Sequence, residues 1–449
     1  MYIKLGFFVL QKTATHSYIT IAKESEIVEK LLIKGGNPLR GRIAVSGAKN
    51  AAVAIIPACI LIKDRCRLEN LPDIKDVNLF LDILRDLGAI VTVIDKNTVE
   101  IDCSSVDSYE PNDVLARKMR GSSYLMGALL GRFRMCIVPC PGGCDFGTRH
   151  IDQHIKGFEA MGAQCSVRYA KVEAEADELL GAHVYFDVTS VGATVNVMLA
   201  AACAKGVSIL ENAAKEPHIV DLANFLNAMG AKIRGAGTDT IKITGVEKLH
   251  GGVHSIIPDQ IEAGTFMIAA AATRGDVTIE NVIPRHLECI SAKLIESGIC
   301  VEEFDDSVRV YVDNRKKLKK INFIALPYPG YPTDMQPQLV TYLSTVSGTS
   351  TAREGVWDDR FRYVGELKRM GADITVEGKL AIINGVDHLM GTTVHATDLR
   401  GGAAMIIAGL MADGTTEIVD IHHIDRGYEN FEEKFAALGG YIKRVLYTE

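Results

Sequence analysis

A chain of 449 residues is longer than the roughly 250–300 residues that one hydrophobic core organises, so more than one domain is expected. With 47% hydrophobic and 23% charged residues it has the composition of a folded globular protein, which excludes a disordered chain, a collagen-like repeat and a disulfide-dense miniprotein. A net charge of −7 excludes binding to nucleic acid or an anionic membrane through bulk charge, so an anionic ligand must be held locally.

In chain order, the run Leu5–Leu10 is apolar but carries neither a full signal core nor a small-residue cleavage site, so no export is expected. Ten irregularly spaced cysteines read as reduced thiols of a cytoplasmic protein. Runs such as Met267–Ala272 are too short to cross a bilayer.

An internal repeat organises the rest. The runs LGAIVTVI, MGAQCSVRY, MGAKIRG, SGICVEEF, MGADITVE and LGGYIKRV each place a glycine between a helix and a β-like run. These are Gly88, Gly162, Gly230, Gly298, Gly371 and Gly439, spaced 74, 68, 68, 73 and 68 residues apart. In the same phase, SGAKNAAVAIIPACIL, RGSSYLMGALLGRF, VGATVNVMLAAACAKG, EAGTFMIAAAATRGD, PTDMQPQLVTYLSTVSG and LRGGAAMIIAGLMADG open on small or polar residues and continue as apolar helices. With β-branched runs between them, one unit reads as β-α-β-α-β-β. The expected architecture is α/β, with six units divided three and three and a ligand cleft between the halves. Small residues in a helix's first turn leave backbone N–H groups free to meet an anion; their plainer role is close helix packing.

Cationic residues keep the same phase: Lys49 in SGAKN, Arg120 in KMRGSS, Arg149 in GTRHID, Arg360 in WDDRF, Arg400 in TDLRGG and Arg426 in IDRGYE. Singly they are surface charges; together at helix starts they suggest a cage for phosphate and carboxylate. Asp334 in YPTDMQ is their acidic counterpart. Its proton affinity should be low among cations, and an N-cap is its alternative role. The stretch CPGGCDFGTRHIDQHI sets Cys144 in a glycine-rich loop before Arg149 and His150, which favours a thiol of lowered pKa suited to proton donation or nucleophilic attack; a merely tolerated thiol is the alternative. Cys136, Cys140 and Cys144 with His150 and His154 lack the second ligand pair of common zinc sites, so no metal is expected. P-loop, dinucleotide and nucleophile-elbow signatures are absent.

The motifs GGNPLRGRIAVSGAKNAA, PGGCDFGTRHIDQHIKGFEAMGA, SVGATVN, ENAAKEPHIVDLANFLNAMGAKIRGAGTD, PDQIEAGTF, YPTDMQPQ, TDLRGGAA and HIDRGYEN, from about Val28 to the C-terminus, resemble the UDP-N-acetylglucosamine 1-carboxyvinyltransferase family of enolpyruvyl transferases. The resemblance implies a two-domain inside-out α/β barrel, with residues 48–257 as one domain and 28–47 plus 258–449 as the other. It implies transfer of the enolpyruvyl group of phosphoenolpyruvate to the 3′-hydroxyl of UDP-N-acetylglucosamine, with no cofactor. It further implies that Cys144 donates a proton to the substrate methylene and is the target of the epoxide fosfomycin, and that Asp334 receives the sugar hydroxyl's proton. Lys49, Arg149 and Arg426 would hold phosphate, and Arg360 and Arg400 the carboxylate. For the nucleotide sugar it implies Asn50, Arg120, the run Arg149, His150, Ile151, Asp152 and Gln153, and Ser190, Val191, Gly192 and Val356. Here His150 stands where the family usually has proline, and Asp145 and Phe146 where small or aliphatic residues are common. Residues 1–27 precede the family's usual start and are expected to be a disordered extension or a mistaken start. Alternatives are a 5-enolpyruvylshikimate-3-phosphate synthase-like transferase and a catalytically silent UDP-sugar-binding paralogue.

Overall fold

A computed structural model describes residues 27–140, 151–313 and 315–448. The repeat is clearest where all its strands are contiguous. Strand His183–Tyr185, helix Val191–Ala202, strand Val207–Glu211, helix Pro217–Ala228 and strands Lys232–Arg234 and Thr240–Thr244 follow one another. Their sheet runs 232–234, 240–244, 207–211, 183–185, with the last two parallel and the rest antiparallel. Alternation in TIKIT fits this: Ile241 and Ile243 face the core while their neighbours face outward.

The repeating glycine has a physical cause. All six lie at φ between +89° and +100°, a conformation that costs glycine nothing and other residues a clash. At each, the following N–H reaches back to a carbonyl five residues earlier: Ala89 to Leu84 at 2.9 Å, Ala163 to Phe158 at 3.0 Å, Ala231 to Leu226 at 2.9 Å, and Ile299, Ala372 and Gly440 to Leu294, Leu367 and Phe435 at 3.0 Å. This left-handed cap ends the helix and turns the chain into the next strand.

The first helix of each unit is apolar nearly all round, and so it lies inside the sheets rather than on them. Lys49–Ala58, Leu125–Phe133 and Val191–Ala202 fill one core, spanning Ala48 to Ile256. Gln260–Ala272, Gln336–Leu343 and Leu399–Met411 fill a second, built from Leu31–Val45 and Ile261–Ile442. Backbones approach closely there. A Cβ on Gly127 would lie 2.2 Å from the Asn196 carbonyl oxygen, and the Gly127 N–H donates to Asn196 Oδ1 at 2.7 Å. Gly127→Ala is therefore expected to cost about 1–3 kcal/mol by forcing the two helices apart, read as a lower denaturant midpoint with unchanged slope.

Three features depart from six consecutive identical units. Strand Arg40–Ala44 pairs in parallel with Asp276–Glu280, while Gly252–Ser255 pairs in parallel with Arg65–Glu69, so each half starts a unit with a strand from a distant part of the chain. Strand Ile27–Lys34 lies between Thr415–Val419 and Tyr441–Thr448 and completes the last unit. The second unit has a three-stranded sheet of Met135–Pro139, Gln164–Arg168 and Lys171–Glu175. Where its first strand would run, the turn-rich SYEPND offers the sheet, among the described residues, a single backbone hydrogen bond, Ile137 N–H to the Tyr109 carbonyl at 3.1 Å.

The chain crosses between cores twice, and the crossings are stitched side by side: Ala48 N–H to the Ile257 carbonyl at 2.7 Å and Asp259 N–H to the Ser46 carbonyl at 2.9 Å. Beside them Lys434 donates to Ser46 Oγ at 2.7 Å and pairs with Glu262, whose pKa burial pushes up to about 7. Among the described residues no helix is long and apolar enough to cross a membrane, and nine cysteines are free thiols.

Candidate active site

The crossings deliver helix N-termini from both halves to one place. Asp259 caps helix Gln260–Ala272 through Oδ1, with Ile261 N–H at 2.7 Å and Glu262 N–H at 3.1 Å. Its Oδ2 accepts the Lys49 N–H at 3.0 Å, so one carboxylate orients the first turns of two helices in different cores. Lys49 Nζ then reaches Asp76 Oδ2 at 2.8 Å. Arg426, from the other half, donates through Nε to Asp76 Oδ1 at 3.0 Å and through Nη2 to Oδ2 at 3.3 Å. Asn50 follows Lys49, half-buried.

A second cluster adjoins the first. Asp334, in the short turn Thr333–Met335, meets Arg400 Nη2 at 3.0 Å and Arg360 Nη2 at 3.4 Å. The two arginine side chains are 3–4% exposed, whereas the carboxylate is 30% exposed and open to the cleft. Asp398 caps helix Leu399–Met411 by accepting the Arg400 and Gly401 N–H groups, and its Oδ1 lies 3.9 Å from Arg360. Arg400 lies over the Tyr428 ring, 5.3 Å from its centroid. Its buried Nη1 has no hydrogen-bond partner among the described residues. A buried charged donor left unpaired is costly, and an entering anion would satisfy it.

The clusters share one field. Burial works against the Asp334 charge, but Arg400, Arg360 and Lys49 outweigh it and hold the carboxyl well below the usual carboxylate range. Burial lowers the Lys49 pKa, and Arg400 and Arg426 lower it further against the opposing pull of Asp76. Burial also lowers His218, in the first turn of helix Pro217–Ala228, against carboxylates that include Glu216 and Asp334. Glu216 Oε1 in turn accepts the Tyr328 N–H at 3.4 Å, joining the halves on this side.

The described residues implied for the nucleotide sugar lie on elements of the first half, except Val356, which follows strand Thr349–Glu354 of the second. Gln153, buried in the first turn of helix Asp152–Ala160, donates to Asp187 Oδ2 at 3.1 Å and accepts the Asp187 N–H at 2.9 Å. Asp152 is exposed and Ile151 precedes the helix. Ser190 caps helix Val191–Ala202 by accepting the Ala193 N–H at 3.2 Å. A Cβ on Gly192 would lie 2.9 Å from the His154 ring, so glycine there admits the imidazole. Val356, 38% exposed, donates its N–H to Glu354 Oε1 at 2.8 Å, as Trp357 does at 3.1 Å. Arg120 begins the short helix Arg120–Tyr124. Cys144, Arg149 and His150 lie outside the described residues. Among the described thiols, burial pushes Cys136 and Cys103 up to about 12, which leaves these two protonated at neutral pH.

Sequence reasoning did not single out Asp76, Asp259, Asp398 or His218. Asp398 and Asp259 had a readable signal, an aspartate just before an apolar helix. Asp76 did not, because an acid in the first turn of KDVNLFLDIL reads as a solvent-facing partner of the helix dipole.

Six units of sheet around buried helices, with arginine and lysine converging where two cores meet, define an enolpyruvyl transferase of the EPSP synthase class. The profile of the EPSP synthase (3-phosphoshikimate 1-carboxyvinyltransferase) family matches residues 33–435. The enolpyruvyl transferase NikO of Streptomyces tendae superposes with a TM-score of 0.85 at 27% identity, over 94% of this chain and 99% of that one. EPSP synthase of Acinetobacter baumannii shares the fold at a TM-score of 0.73 and 20% identity, over 93% and 100%. The chain is 56% identical to UDP-N-acetylglucosamine 1-carboxyvinyltransferase 3 of Caldanaerobacter subterraneus, over 93% of this chain and 100% of the relative. It is 55% identical to UDP-N-acetylglucosamine 1-carboxyvinyltransferase of Clostridium botulinum, over the same shares. It belongs to the UDP-N-acetylglucosamine 1-carboxyvinyltransferase family.

Proposed function

We propose that the chain transfers the enolpyruvyl group of phosphoenolpyruvate to the 3′-hydroxyl of UDP-N-acetylglucosamine with release of phosphate, the first committed step of peptidoglycan precursor synthesis, in the cytoplasm. The observation that carries this reading is the pair of abutting ion clusters at the crossing of the two cores, with Arg400 Nη1 left for an anion. A small substrate bearing both phosphate and carboxylate suits two cationic groups side by side. Lys49 and Arg426, with Arg149, take the phosphate; Arg400 and Arg360 take the carboxylate.

The chemistry needs a proton delivered to the methylene carbon and one removed from the sugar hydroxyl as its oxygen attacks C2. Cys144 is assigned the first task and Asp334 the second. With two arginines on it, Asp334 is a weak base. A substrate carboxylate that engages Arg400 weakens the field on Asp334 and adds negative charge beside it, so binding itself raises the proton affinity of the base. The tetrahedral adduct then expels phosphate to the same cations, fixed in place before the reaction begins, as its methyl group returns a proton to the Cys144 thiolate and the C=C bond re-forms.

Phosphate release from phosphoenolpyruvate should require UDP-N-acetylglucosamine and not respond to shikimate 3-phosphate; release with the shikimate ester alone would reassign the acceptor, and no release with either would leave a binding protein. Cys144→Ala should lower turnover by about 10²–10⁴-fold, the range for a lost proton donor. Single-turnover rates equal to wild type would remove Cys144 from the mechanism.

A further inference from the structure

Asp76 touches cations from both halves of the chain. An acid in a helix's first turn usually sits in solvent, yet Asp76 is only 5% exposed. One of its oxygens meets Lys49 at 2.8 Å, and both meet the Arg426 guanidinium, at 3.0 and 3.3 Å. It is not the sole link between the halves. On the same seam Lys75 N–H donates to the Asp425 carbonyl at 3.0 Å and Lys75 Nζ pairs with the Asp425 carboxylate at 2.7 Å. Glu429 also accepts the Asp73 N–H at 3.3 Å and pairs with Lys96 at 2.9 Å.

We propose that Asp76 is a positioning residue for phosphoenolpyruvate, joining the Lys49 ammonium to the Arg426 guanidinium across the cleft and keeping the pair charged for the substrate phosphate. The proposal rests on the functional reading above. Lys49 faces Asp76 on its own side of the cleft and Arg400, Arg426 and Asp334 on the other, while Asp259 binds only its backbone N–H. Asp76 is the largest influence favouring its proton; burial and the two guanidiniums oppose it. With that carboxylate neutralised, the ammonium sheds its proton at lower pH, and a neutral amine no longer attracts phosphate. The protonated lysine is the binding form, so affinity is lost as pH rises through its pKa.

Asp76→Asn keeps the shape and removes the charge. Titration calorimetry from about pH 6 to 9, with circular dichroism melts to verify folding, should show wild-type affinity for phosphoenolpyruvate nearly flat across neutrality. Asp76→Asn should bind best at the acid end and lose about tenfold per pH unit once Lys49 deprotonates. Lys49→Arg combined with Asp76→Asn should restore a flat profile, since guanidinium stays charged. Affinity for UDP-N-acetylglucosamine should not change. An Asp76→Asn profile parallel to wild type, or nucleotide-sugar affinity falling in step, would show a purely structural residue and overturn the proposal. Because the readout is binding, wild type that fails the phosphate-release assay while Asp76→Asn shows the pH-dependent loss sinks the transferase reading and upholds this one.

Discussion

Arg400→Ala should reduce kcat/KM for phosphoenolpyruvate by at least about 10³-fold and lower stability by about 3–5 kcal/mol, the range for breaking a buried ion pair from one side. Three roles meet in this side chain. It makes the 3.0 Å bond to Asp334, it lies on the Tyr428 ring, and it carries the donor that has no partner among the described residues. Arg400→Lys keeps a positive charge but not the fork that serves Asp334 and a ligand at once, so it should recover stability better than activity. The pH dependence separates pairing from packing. A carboxyl held low in the folded state contributes stability above its unfolded pKa of about 3.9, and that contribution fades as pH falls toward the folded value. The stability gap between wild type and Arg400→Ala should therefore narrow below about pH 4. A gap independent of pH in urea denaturation would mean that lost packing, not the Asp334 pair, sets the cost.

The repeat was legible because its marker is a local backbone demand. Only glycine meets a left-handed cap without strain, so six caps leave six glycines at one period. The apolar helices were legible for a similar reason, since Val191–Ala202 carries no charge on any face. The distant pairings of Arg40–Ala44 and Gly252–Ser255, each within its own half, were not legible in the residues themselves; only the resemblance implied that 28–47 go with 258–449. Arg40–Ala44 and Gly252–Ser255 have the same pattern whichever sheet they enter, and partners more than 180 residues away in the chain are chosen by tertiary packing. In the site, Lys49, Asp334, Arg360, Arg400 and Arg426 stood out because charged residues recur at helix starts that should face the cleft. Asp76 stayed hidden because its pattern is that of an exposed helix acid, and what distinguishes it is the guanidinium that arrives from 350 residues later.

Removing residues 27–34 should unfold the second half while the core from Ala48 to Ile256 persists. This strand is interior to its sheet, paired along its full length with Tyr441–Thr448 and over Leu31–Lys34 with Thr415–Val419. Without it, the last strand loses its ladder and the short parallel pair Thr393–His395 with Thr415–Val419 becomes an open edge. Leu31 and Ile33 are 1% and 0% exposed, and truncating each to alanine should alone cost about 2–5 kcal/mol. The ion pairs Lys30–Glu417 at 2.8 Å and Arg444–Glu29 at 3.0 Å add little, being near the surface. The sum of two buried side chains and two ladders rivals the whole stability of a domain, about 5–15 kcal/mol. The first half lacks none of its strands in this variant, because Gly252–Ser255 closes its own sheet. Hydrogen exchange should thus show protected amides in helices Leu125–Phe133 and Val191–Ala202 and rapid exchange in Leu399–Met411. Equal protection in both halves would mean that the second core holds without its first strand, and uniform loss would mean that neither half folds alone.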